Sequence, residues 1–343
     1  MAISQSNIVW KKSALISDTV PSQNGGGMSQ STSPDNTKGN TFPTIQNAQR
    51  VSGATLHRKF FIKIETANVE TLLSPKVFID SPSAGDDFLT LRYTGSQTDT
   101  QESISAARHY GVGILKNAVS QEATQIVITL EHLAAAALQP FKPGDLLRIS
   151  NQASVSSSGD AEYVTVGSAS DAVSYNGSEV TLNISATTLA WGVGGSNPVL
   201  VSSCILPGDL AASYASFTVS STAGTYTDSG NLTPKPIGGV FQTWTLIITN
   251  PATGAFRLDG DTLGSGVATG SMGSNFSPIN PDTNTPYFTL PAAGWGGSWG
   301  LHDSISFTTH PSAIPVWYRL TVPANAASVS ASLTGVAIDG ESQ

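Results

Sequence analysis

The chain has 343 residues, of which 12% are charged and 39% apolar, and a formal net charge of −8 at neutral pH. That length suits two domains and a tail, and so few charges with this much apolar content point to a turn-rich β protein, since disorder pairs low hydrophobicity with high charge. The acidic balance excludes duplex nucleic acid as the main partner, because phosphate binding needs clustered cations. One cysteine, Cys204, excludes an internal disulfide framework and a Cys-based zinc site. No apolar run approaches the roughly 18 residues of a membrane span, so no membrane partner is expected. The opening MAISQSNIVWKK lacks the apolar core of a signal peptide, so synthesis in the cytoplasm without export is expected.

Half of the 16 Lys and Arg residues lie within the first 76 positions, accompanied by four acids; this front carries about +4 and the remainder about −12. Residues 1–52 read as an extended docking arm. The stretch GGGMSQSTSPDNTKGNTFP at 25–43 has too little apolar surface to order itself. Trp10 on one side and Phe42 and Ile45 on the other are the candidate docking anchors. From Lys59 the period is two, with Phe60, Ile62 and Ile64 on one face and Phe61, Lys63 and Glu65 on the other. Strands are predicted at 76–80, 88–93 and 125–130, and helices at 103–110 and 130–138, where Leu130, Leu133, Ala134, Ala137 and Leu138 form a helical stripe ended by Pro140. Residues 53–199 are therefore read as an α+β domain that includes a small barrel-like β module at about 141–186. Within that module Asn176-Gly177 marks a hairpin. Residues 200–343 are read as a C-terminal β-sandwich, with strands at 216–220, 244–248, 255–258, 287–290, 304–308 and 316–322 and a last one near 336–338. The fold class is thus mainly β.

Catalytic chemistry is hard to assemble. His57, His109, His132, His302 and His310 form no metal spacing. His302-Asp303-Ser304 has the residue types of a hydrolase triad, but neighbours on a strand face opposite ways. Asp259-Gly260-Asp261 is a fragment of a calcium loop without its closing glutamate, and Asp86-Asp87 sits in a turn. No enzyme activity, metal or cofactor is expected. The Gly-rich stretch 294–303 carries Trp295 and Trp299, which are either a lid on the sandwich core or a distal contact to a partner or glycan.

Five segments carry a resemblance: GGGM at 25–28, TFPTI at 41–45, GATLHRKF at 53–60, NFSPINP at 275–281 and TTHPSAIPVWYRLTVP at 308–323. They resemble an uncharacterised family of tailed-bacteriophage virion proteins. The resemblance implies a structural part of the neck, collar, tail or baseplate of a contractile-tailed phage. Such a part is located in the virion and bound to further copies of itself and to other phage structural proteins. The alternatives are a baseplate or receptor- or glycan-binding tail protein using Trp295 and Trp299 and, ranked lower, a glycan-cleaving enzyme.

Overall fold

The structure, a computed structural model, describes residues 3–35, 37–227, 232–329 and 333–343. Mainly β architecture is what the chain adopts: 26 strands in antiparallel ladders, with α-helices only at Asn47–Ser52 and Leu133–Ala136 among the described residues.

The first sheet runs Gly25–Thr32, Ile8–Leu15, Ala54–Ile64, Ala313–Val322, Phe88–Arg92, His109–Tyr110. Its spine is the long pairing of Ala54–Ile64 with Ala313–Val322, from Ala54↔Val322 to Lys63↔Ala313. On the inner face Phe60, Ile62, Ile64, Ile314 and Val316 pack against Val77, Ile79 and Ile338. Those three come from the ladder of Leu72–Ser81 with Gly335–Ser342. Both faces of Ala54–Ile64 are covered. Phe61, Lys59 and Lys63 on the outer face are as buried as the apolar set. Lys63 reaches the carbonyl oxygen of Ile237 at 2.5 Å, and burial holds its ammonium down at about 8.

The second sheet runs Ala161–Thr165, Leu146–Ser150, Leu200–Ser203, Val112–Leu115, Gln125–Thr129, Glu179–Asn183, Val173–Asn176. A bridge between Val166 and Ile184 joins its two sides, so six of these strands close around Ile128, Leu147, Ile149, Val180, Leu182 and Val201. The hairpin expected at Asn176-Gly177 is present, with Asn176 opposite Glu179 and Gly177 at φ +62. The third body is sandwich-like. A five-stranded sheet ordered Ser213–Ser220, Ser304–His310, Gln242–Asn250, Ala255–Gly260, Gly264–Ser271 is covered by short ladders and filled by Trp244, Phe256, Phe276, Phe288 and Phe307.

Several boundaries move. The barrel-like module at 141–186 is completed by strands from 112–129 and by Leu200–Ser203, so position 200 falls inside a sheet. Ala313–Val322 and Gly335–Ser342 return to the first body, which leaves about 213–310 for the sandwich. Chain order hid this, because the partner of a strand is fixed by long-range register and not by adjacency. The helix expected at 103–110 is a 3₁₀ turn, Gln101–Ile104, then the strand His109–Tyr110, whose β-favouring Tyr pairs with Leu91. The one expected at 130–138 shrinks to Leu133–Ala136. It presents Ala135 and Ala136 to the core and leaves Leu133 61% exposed. Its N-cap is His132, whose Nδ1 accepts from the Ala134 N–H at 3.0 Å.

Candidate assembly surface

Residues 1–52 are not a loose arm. Ile8–Leu15 pairs with Ala54–Ile64 from Ile8↔Ile64 to Lys12↔Phe60, and the Gly-rich stretch supplies the edge strand Gly25–Thr32. Met1, Ala2 and Asn36 of this region lie outside the described residues. The three expected anchors are spent on the chain's own sheet. Trp10 packs on the inner core and its Nε1–H donates to the Tyr318 hydroxyl at 3.0 Å. Phe42 lies under the Arg58 guanidinium, 5.6 Å from its ring centroid, and Ile45 packs with Leu56, Leu320 and Val322. Each is half-buried. Ile8-Val9-Trp10 is a run of β-favouring residues, short enough to pass for an isolated apolar anchor. The basic front is also compensated internally: Lys11 meets Glu65 at 3.2 Å, Arg58 meets Asp18 at 2.6 Å and Lys59 meets Asp99 at 2.6 Å.

Trp295 and Trp299 close one end of the sandwich core. Their ring centroids are 4.9 Å apart, and Trp295 stacks on Phe256 at 5.5 Å and meets Tyr226 edge-on. Trp299 leans on Gly224, where an added Cβ would come within 2.5 Å of the indole, and donates Nε1–H to the Gly296 carbonyl. The indole N–H of Trp295 is buried with no acceptor. Trp295→Phe removes that orphan but loses part of the indole's contact with its three neighbouring rings, so the two effects oppose and stability in urea melts should change by less than about 2 kcal/mol. A loss above about 2 kcal/mol would mean that the N–H has a partner that matters. The acids considered for catalysis hold turns instead. Asp303 accepts from the Gly300 N–H and from Ser221, and Asp86 accepts from the Ala327 N–H. Asp259 accepts from the Gly266 N–H at 2.8 Å and Asp261 from the Thr243 N–H at 3.1 Å.

Those last two bonds fix the turn that launches Gly264–Ser271, a strand absent from the sequence-level expectation because GSGVATGS has little β propensity. Gly264 and Gly266 take positive φ of +88 and +72, and Gly270 leaves room for Phe256 and Phe276, either of which an added Cβ would approach to 2.6 Å. The strand pairs with Ala255–Gly260 on one side only; among the described residues its other side meets no strand. It runs eight residues with no charge and no proline, the devices that usually protect an edge. Such an edge is a ready template for another extended segment. The signal available in the sequence was the turn DGDTLG followed by residues too small to block approach. No family model, curated protein or solved structure matches this chain. No helix among the described residues is long and apolar enough to cross a membrane.

Proposed function

We propose that this chain is a structural subunit of a tailed-bacteriophage virion, a homo-oligomeric neck, collar or tail-associated protein without enzymatic activity. Assembly is carried by the open edge Gly264–Ser271, an uncharged eight-residue strand with one side unpaired. The resemblance gains coherence from the fold. Three of its five segments, at 25–28, 41–45 and 53–60, are built into or packed on the six-stranded sheet, and the one at 308–323 joins it through Ala313–Val322 after ending the sandwich strand Ser304–His310. The fifth contains Asn280, whose side chain donates to the Gly238 carbonyl at 3.0 Å, one residue from the carbonyl that Lys63 of that sheet holds. The docking role moves from Trp10, Phe42 and Ile45 to this edge. A receptor- or glycan-binding reading draws no support from Trp295 and Trp299, whose rings serve the core.

The test is light scattering of the full chain across concentration, with Thr269→Lys/Ser271→Lys as the variant. Two charges on the edge should block strand addition while the sandwich keeps its melting temperature. A wild-type oligomer that weakens at least tenfold in the variant supports edge-mediated assembly. A wild-type monomer at every concentration, or an unchanged oligomer in the variant, rejects it.

A further inference from the structure

The outer face of the six-stranded sheet gathers positive groups, of which Lys59 and Lys63 have acid partners while Arg92 and Arg319 have none among the described residues. Directly opposed residues of antiparallel strands project to one side, and alternate pairs share a face. One cross-strand row is His57, Arg319, Thr90; the next holds Lys59, Trp317, Arg92, His109. In the second row Lys59 has Asp99. The Arg92 guanidinium is occupied, donating to the Ile104 carbonyl at 2.8 Å and to His109 Nε2 at 2.7 and 3.2 Å. Because a guanidinium only donates, His109 carries its proton on Nδ1 and gives it to Thr90 Oγ1 at 2.9 Å.

Arg319 has nothing comparable. Among the described residues it enters no ion pair within 4.0 Å, and its Nη1 is shielded from solvent with no hydrogen-bond partner. Two further polar atoms on the same face share that condition: His57 Nδ1, opposite Arg319, and Thr321 Oγ1, one row along. Burying an unsatisfied polar group is costly, more so for a charged one, so three together on one face want a partner. The acids Asp99 and Glu65 beside this face are used by Lys59 and by Lys11 and Lys63. Burial and then the Arg92 and Arg319 charges hold His57 down at about 4 and His109 at about 3, with no carboxylate opposing either.

We infer that this cluster is an oxyanion site, in which the Arg319 guanidinium forks onto the anion with His57 and Thr321 beside it. A planar fork with two parallel N–H groups matches a carboxylate or a phosphate and suits a partly buried position better than an ammonium. The anion is either a free ion or a carboxylate of a second copy, whose residues beyond position 76 carry about −12. This site lies on a different sheet from the edge Gly264–Ser271 and does not need it.

The experiment uses the full chain. Thermal melts are recorded against inorganic phosphate, with chloride at matched ionic strength, for wild type and Arg319→Met; self-association is followed in parallel. Saturable stabilisation of the wild type by phosphate, at least tenfold weaker in Arg319→Met, assigns a free anion. Self-association that phosphate competes away and that Arg319→Met loses assigns a carboxylate of the neighbour. In chloride, Arg319→Met should melt no lower than wild type, since it removes an unpaired cation; a residue serving only the fold would show the opposite. Should that variant fail to fold, Arg319→Lys, which keeps the charge and loses the fork, takes its place. Absence of saturable phosphate stabilisation together with self-association indifferent to residue 319, or phosphate binding that persists in the variant, overturns the inference.

Discussion

Asp99→Ala is expected to cost about 3–5 kcal/mol, the usual loss when one partner of a buried ion pair is removed. Its partner Lys59 has no exposed side-chain surface and lies between Asp99 Oδ1 at 2.6 Å and the Gly26 carbonyl at 2.9 Å. The Phe61 and Trp317 rings flank the ammonium at 4.8 and 6.0 Å. Burial already depresses its pKa in spite of the carboxylate; without the Asp99 side chain only the backbone carbonyls of residues 26 and 99 and two ring faces remain. Lys59→Met in the same background removes the stranded charge and keeps the volume, so the double variant should recover part of the loss. Recovery stays partial because Asp99 also accepts from Trp317 Nε1 at 3.0 Å and Thr94 Oγ1 at 2.7 Å; those two bonds are worth about 1 kcal/mol each. Urea melts of the four proteins should give a coupling energy of about 2 kcal/mol or more. Additive effects, or an Asp99→Ala loss under about 1 kcal/mol, would show that the pair is hydrated and not structural.

The same residues show what the sequence could and could not reveal. Period-two alternation from Lys59 located the second half of Ala54–Ile64, and Asn176-Gly177 located the hairpin of the second sheet, because both signals depend only on near neighbours. The meaning of Lys59 and Lys63 was not local. A lysine on a strand reads as a solvent face until a loop 40 residues on brings Asp99, or one beyond 230 brings the Ile237 carbonyl. Ala313–Val322 was found as a strand and placed in the wrong body, since its register partners lie about 260 residues earlier. The candidate sites fared alike. Trp295 and Trp299 stood out by residue type, yet their core role needed Phe256 and Tyr226. Arg319 and His57 are unremarkable in sequence and gain significance only through what they lack as neighbours. The edge Gly264–Ser271 was missed for the opposite reason: its small, uncharged residues give little strand signal beyond the turn before it.

Gly25→Ala against Gly27→Ala separates a folded N-terminal hairpin from a loose arm. Gly25 sits at φ +107, and an added Cβ would lie 2.5 Å from Trp317 Cη2 and 2.7 Å from the Asp99 carbonyl oxygen. Left-handed strain and overpacking act together there, for an expected loss of about 2–4 kcal/mol. Gly27 has no positive φ and nothing within 4 Å of its added Cβ. Alanine there restricts the unfolded chain without penalty, so the change should lie between neutral and about 1 kcal/mol of stabilisation. The contrast is the informative quantity, because two glycines two residues apart in one Gly-rich run have the same sequence environment. Equal and small effects in calorimetry would return residues 1–52 to the status of an unpacked tether. The expected contrast means that Gly25–Thr32 and Ile8–Leu15 are part of the sheet. Removing residues 1–52 then takes away the strand paired with residues 60–64 and the Gly26 carbonyl that Lys59 holds, so an assembly defect in such a truncation reports folding before docking.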